Sequence, residues 1–258
     1  MSIESHDDLV GLAAAGALAG RVREALLEAA VPGITPRELD ARGAKMIERA
    51  GGRPAPPLQA GFPAATCISV NEVIAHGVPD DRALRSGDLL NVDVSVELAG
   101  YWADTGASIT VGAADPDRDA LCATGRRALD AALGAVRAGG RLNALGRAAE
   151  AVARADGRET LRDLCGHGVG RALWEEPSEV VGYHDPRDRR RLHEGLVLAV
   201  EPFVTTGARH TAVDDDGWGL RCDDGGLAVQ FEHTFVVTAK GAWVVTAPRP
   251  FLVPWRRA

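Results

Sequence analysis

Four carboxylates stand where acids are costly. Asp93 lies in "NVDVSV", Glu201 follows "GLVLAV" directly, Glu232 sits in "AVQFEHTFVV", and Asp104, in "YWADTG", comes eleven residues after Asp93. An acid inside an apolar run is disfavoured unless it is paired or bound to metal. No lysine or arginine lies inside these runs, so a divalent cation is the natural compensating charge. An imidazole is also at hand, because "CGHGVGRALWEEP" (165–177) frames His167 between two glycines. Carboxylates with one imidazole suit a first-row ion such as Mn, Fe, Co or Zn. Taken singly, each residue has a plainer reading. An acid in a strand usually faces solvent, and a histidine between glycines usually belongs to a turn. Five such residues, each in an apolar or glycine-rich setting, favour a metal site.

The elements that would position them alternate in type. Residues 7–30 repeat apolar positions at three and four, which predicts a long amphipathic helix. A second helix starts at Thr35, with Pro36 first and Glu38 completing a capping box, and ends at Gly51-Gly52. "RPAPPLQAGFPA" then reads as a proline-rich loop. Residues 64–112 read as antiparallel strands, with Val92, Val94 and Val96 alternating against Asp93, Ser95 and Glu97 and a turn at Ala99-Gly100. With that turn, Asp93 and Asp104 can face each other on neighbouring strands. Two further helices follow, the first running from the Asp115-Pro116 cap to Gly139-Gly140, and then three strand-like runs, "GLVLAVEPFV", "GLAVQFEHTFVVT" and "GAWVVTA". A helix–helix–sheet unit thus occurs twice, an α+β arrangement. We expect one catalytic domain over 1–258, with halves of about 1–112 and 113–258.

Bulk properties narrow the function. The 258 residues are 46% hydrophobic and 25% charged, an ordinary globular balance. A net charge of −7 argues against nucleic-acid binding. The four cysteines form no CxxC pair, so reduced thiols are expected. No signal peptide is evident and no apolar stretch reaches a membrane span. The expected location is the cytoplasm.

At this point the motifs resemble a family. "CISVNEVIAHGVPDDRALRSGDLLNVDVSVELAGYWADTGASITVG", "GHGVGRALWEEP", "EGLVLAVEP" and "VQFEHTFVVT" are similar, in order and spacing, to the metal-binding core of type I methionine aminopeptidases. The resemblance covers nearly the whole chain. It implies the pita-bread fold, two pseudo-symmetric αβ halves around two divalent ions (Co, Mn, Fe or Zn). It also implies that Asp93, Asp104, His167, Glu201 and Glu232 are ligands, with Asp104 and Glu232 bridging. The implied reaction removes N-terminal methionine from a peptide or nascent chain by attack of a metal-bridging hydroxide. Glu201 would shuttle the proton and His76, in "AHGVPDD", would contact the scissile amide. Phe62, Cys67, Leu173 and Trp218 would wall the methionine pocket. The glycines beside His167 would let backbone pass close to the metals. A monomer is the family default, and the basic run "DPRDRRRL" (185–192) reads as a surface turn, with ribosome contact the alternative.

Phe62 stands where many members of the family have tyrosine and Leu173 replaces its usual phenylalanine, but one further position departs from the family more sharply. Where its motif reads GHGxGxxFH, this chain has Trp174 in place of the last histidine, which in the family contacts substrate. Indole offers one N–H and no base. A peptidase in which Trp174 substitutes, a same-fold metal hydrolase with an altered substrate, and a non-catalytic binding homologue all stay open.

Overall fold

The computed structural model describes residues 1–247; the final stretch of the half expected over 113–258 lies outside the described residues. The first half runs α1 (His6–Ala29), α2 (Pro36–Arg49), β1 (Arg53–Pro54), α3 (Ala55–Ala60), β2 (Cys67–Val70), β3 (Val73–Ala75), β4 (Leu89–Leu98) and β5 (Tyr101–Thr110). The second runs α4 (Pro116–Gly134), α5 (Asn143–Ala155), β6 (Glu159–Thr160), β7 (Cys165–Gly168), β8 (Glu175–Val181), β9 (Val197–Val200), β10 (Phe203–Thr205), β11 (Thr211–Val213), β12 (Leu220–Cys222), β13 (Ala228–Gln230), β14 (His233–Thr238) and β15 (Gly241–Val244). The doubled helix–helix–sheet order is the expected one.

Local chemistry explains most boundaries. Ser5 and Asp8 close a capping box at the start of α1, and Thr35 and Glu38 close another at α2, where Pro36 takes the first position. The helix over 7–30 is more buried than an amphipathic pattern implies. Beyond its first turn, only a narrow stripe, Val10, Ala14, Arg21 and Glu28, is exposed. Its many alanines and glycines let it sink against β4 and β5 while packing on α2. The proline-rich segment is only partly a loop: Pro54, Pro56 and Pro57 sit at the start of the six-residue helix α3, where the missing N–H costs nothing, and residues 61–64 stay irregular. α4 ends at Gly134, short of Gly139-Gly140. Val136 is fully buried, and Gly139 donates to the Leu192 carbonyl, so the chain leaves the helix to cross to another segment.

The β4–β5 hairpin turns at Ala99 and Gly100, both with positive φ (51° and 82°), which suits a tight hairpin. Its register runs from Leu89↔Thr110 to Leu98↔Tyr101. Val92, Val94 and Val96 face the core under α1 and α2 with Leu12, Leu26 and Leu39. The opposite face is also largely covered: Ser95 is 5% and Glu97 6% exposed. Alternation here separates a core from a functional face rather than from solvent.

The second half lays α4 and α5 on an antiparallel sheet ordered β15-β14-β9-β7-β8, with Leu121, Leu129, Leu145, Leu198 and Phe235 in its core. Smaller sheets, β13-β10-β6 and β11-β12-β3, complete it, and β12–β3 joins the two halves. Among the described residues, no helix is long and apolar enough to cross a membrane.

Candidate active site

The two halves meet at the acids. Register places Asp93 opposite Gly106 and Asp104 opposite Ser95. The two carboxylates therefore meet on a diagonal instead of directly across, close enough for a shared side-chain hydrogen bond. Gly106 matters by what it lacks, since a Cβ there would run into the side chain of Gln230. Glu201 sits in the break between β9 and β10, and Glu232 in the break between β13 and β14. Glu232 is 1% exposed. Its N–H donates to the Gly106 carbonyl at 2.9 Å, and its carbonyl accepts from Thr105 Oγ1 at 2.8 Å. The break thus turns a sheet strand into a bridge to the other half.

His167 lies in β7, inside the five-stranded sheet, and not in a turn. Nothing in "CGHG" carries a strand signature, yet β8 and β9 flank it on both sides. The flanking glycines serve these neighbours. A Cβ on Gly166 would strike the Ala199 carbonyl and one on Gly168 the Glu176 carbonyl. Clearance between neighbouring strands is thus one role of both glycines. Nδ1 of His167 is 2.9 Å from the Gly168 carbonyl, which leaves Nε2 as the lone-pair side. Nε2 is 3.7 Å from Asp104 Oδ2.

Asp104, His167 and Glu232 offer one donor atom each within 4.8 Å of one another. Among the described residues, buried Asp104 Oδ1 and Glu232 Oε1 have no hydrogen-bond partner. Oxygen donors left bare beside an imidazole Nε2 fit a divalent first-row ion. Asp93 and Glu201 stand outside this trio but are tied to it by Gln230, whose Nε2 donates to Asp93 (3.3 Å), Glu201 (3.0 Å) and Glu232 (3.1 Å).

The electrostatics carry the same signature. Burial, then neighbouring carboxylates, pushes Asp93, Glu201 and Glu232 well above the usual range, and burial lifts Asp104 to about 6. Burial pushes His167 and His76 down. Removing charge from water without a partner does this; a bound cation would bring the carboxylates back down and hold the imidazoles neutral. Arg23, 5% exposed on α1, donates to Thr105 Oγ1 behind the site and partly offsets the Glu232 charge.

A cavity of about 190 Å³ opens over this floor, lined by Asp93, Asp104, His167 and Glu201 as well as His76, Phe62, Cys67, Leu173, Trp174 and Trp218. Every residue singled out from the sequence except Glu232 borders it. Phe62 and Trp218 meet edge to face at 5.2 Å. His76 follows β3 with φ 51°, a left-handed conformation uncommon for a side-chain-bearing residue. Leu173 is buried at 4% exposure, whereas Trp174 is 51% exposed. His233 points away and bonds Thr246 Oγ1 at 2.8 Å, as strand alternation predicts.

The model of metallopeptidase family M24 matches residues 11–239. The chain belongs to metallopeptidase family M24. Within M24 its likeness is to methionine aminopeptidases. One from Staphylococcus epidermidis is 40% identical over 247 residues, 95% of this chain and 98% of that protein. One from Escherichia coli K12 is 34% identical, over 98% of this chain and 97% of that protein. The crystal structure of the Thermotoga maritima methionine aminopeptidase superposes with a TM-score of 0.91 at 30% identity, covering 96% of this chain and all of that one. The expected pita-bread fold is thereby the observed one, and this M24 chain is a peptidase of a family that uses divalent metal.

Sequence reading missed Gln230, Asn91, Thr105 and Arg23. Gln230 sits in the quoted motif, two residues before Glu232, and spacing on that strand was the available signal. Arg23 had none, because it comes from a helix far away in the chain.

Proposed function

We propose that this chain removes N-terminal methionine from peptides and nascent chains, with Asp93, Asp104, His167, Glu201 and Glu232 holding two divalent ions. The observation that carries this is the set of bare, buried oxygens of Asp104 and Glu232 beside His167, at the base of an apolar cavity. Bound there, divalent ions polarise a peptide carbonyl and lower the pKa of a water. Phe62, Cys67, Leu173 and Trp218 take the methionine side chain. Glu201, on the cavity floor, accepts a proton from the attacking water and passes it toward the departing amine. His76, kept neutral by burial, donates a hydrogen bond to the scissile amide. We assign these roles to one catalytic unit over 1–258, acting as a cytoplasmic monomer and in weak contact with the ribosome.

A second reading, a hydrolase of the same fold acting on a specialised peptide or small amide, is favoured by the half-exposed indole of Trp174 at the cavity. The deciding experiment supplies metal-stripped protein with Mn, Co, Fe or Zn in turn and follows methionine release from Met-Ala-Ser. Metal-dependent release supports the first reading. Metal binding without release overturns it in favour of the second.

A further inference from the structure

Behind Glu232 lies a second cavity. Phe231 and His233, its neighbours in the chain, border a cleft whose other walls come from α1, β5 and α4. Its volume is about 390 Å³, against about 190 Å³ for the cavity over the metal floor, and no residue lines both.

The inner charge of this cleft is positive. Arg23 is 5% exposed and spends three of its five N–H groups on Thr105 Oγ1 and Glu24 Oε1. The others have no partner among the described residues. The Arg126 guanidinium lies 4.6 Å over the ring of Phe231, which is itself 2% exposed, and among the described residues no carboxylate pairs with it. The outer charge is negative. Glu28 on α1 and Asp130 on α4 border the cleft, and both are exposed. Leu27, Ile109 and Leu129 add apolar wall.

A ligand must answer all three features. A simple anion meets the exposed carboxylates, and a simple cation leaves the guanidinium N–H groups without an acceptor. A carboxylate takes such N–H groups in charge-assisted bonds, and an ammonium suits the two acids. An apolar chain covers the leucines and Ile109. An α-amino acid with an apolar side chain carries these three groups on one carbon.

We propose that this cleft is a second ligand site, for a free apolar α-amino acid with its carboxylate on Arg23 and Arg126, its ammonium on Glu28 and Asp130, and its side chain against Leu27, Ile109 and Leu129. Methionine, the product, belongs to this class. That link rests on the reading of the chain as a methionine-releasing peptidase; the site itself does not. Arg23 also ties the cleft to the floor, since it donates to Thr105 Oγ1, which donates to the Glu232 carbonyl.

The test is a backbone-amide NMR titration of the whole, zinc-loaded chain with L-methionine. Leu27, Arg126 and Leu129 should shift in a saturable way, separately from Cys67 and Leu173 of the floor cavity. Arg126→Ala and Asp130→Asn change exposed helix residues away from the floor. Each should weaken the cleft event by about tenfold, the worth of one charge-assisted bond, and leave the floor event as it was. Methioninol, which lacks the carboxylate, and 4-(methylthio)butyrate, which lacks the ammonium, should each bind the cleft about tenfold more weakly than methionine. Shifts confined to the floor cavity overturn the site, as do cleft affinities unchanged in both variants. Equal cleft affinity for methionine and 4-(methylthio)butyrate overturns the zwitterion in favour of a plain carboxylate. Methionine release from Met-Ala-Ser without a cleft event leaves the peptidase standing and removes this inference. A cleft event in a protein that releases no methionine keeps the site and removes its link to the reaction.

Discussion

Asn91 donates to the side-chain oxygen of Gln230 at 2.9 Å, and that contact turns the Gln230 nitrogen toward three carboxylates. The amide thus spreads one fixed donor over Asp93, Glu201 and Glu232. Groups that orient metal ligands typically govern affinity by roughly 10–100-fold. Gln230→Leu should weaken metal binding by about that factor, measured by competition with a chromophoric chelator. Asn91→Ala, which frees the amide to rotate, should produce a smaller loss in the same direction. Unchanged affinity in both would mean that the amide positions nothing.

Gly166→Ala tests the strand-clearance argument. The added Cβ meets the Ala199 carbonyl on β9, which is backbone and cannot swing aside. Overpacking of this kind costs about 1–3 kcal/mol. Urea unfolding should report a loss in that range, together with weaker metal binding as His167 shifts. A fully stable variant would show that β7 and β9 have slack.

Acids embedded in valine-rich runs announce themselves, because burial cost is a local property of neighbours in the chain. The caps of α2 and the Ala99-Gly100 turn were legible for the same reason: each is closed within four residues. "CGHG" was not legible as a strand, since its conformation is imposed by β8 and β9 and not by its own side chains. The Arg171–Asp8 contact joins residues 163 apart, and no local pattern encodes it. The early end of α4 depended on a partner at Leu192 that spacing does not reveal.

Glu150 offers a pH test away from the metal site. It is 7% exposed on α5 and accepts from Arg162 (2.6 Å), Arg154 (2.9 Å) and the His184 backbone N–H (3.1 Å). Although burial opposes it, these donors hold its carboxyl below the ordinary 4.5. A lowered folded value means stability that is present above 4.5 and lost as pH falls through the folded value. Glu150→Gln should cost about 2 kcal/mol at neutral pH, with the gap to wild type narrowing as the solution is acidified below 4.5. Denaturant titrations at neutral and acid pH would check it, and a constant gap would contradict the linkage.

Trp174→His restores an imidazole beside the cavity floor. If the chain turns over methionyl peptides, kcat for Met-Ala-Ser should rise by about 100-fold, the usual worth of one well-placed donor. A fall in every measurable activity would instead mark Trp174 as fitted to its own substrate.

The bridge at Glu232 has a consequence for how this chain becomes active. The contacts that assemble the floor join residues far apart in sequence: Asn91 to Gln230 across 139 positions, Asp104 to Thr234 across 130 and Thr105 to Glu232 across 127. Closing such distant pairs is the slow part of folding. A growing polypeptide released only as far as β10 has Asp93, Asp104, His167 and Glu201 but neither the Gln230 donor nor the Glu232 bridge. With the proposed ligands, competence to bind metal is expected to arrive late in synthesis, when β13 and β14 reach the hairpin made more than a hundred residues earlier.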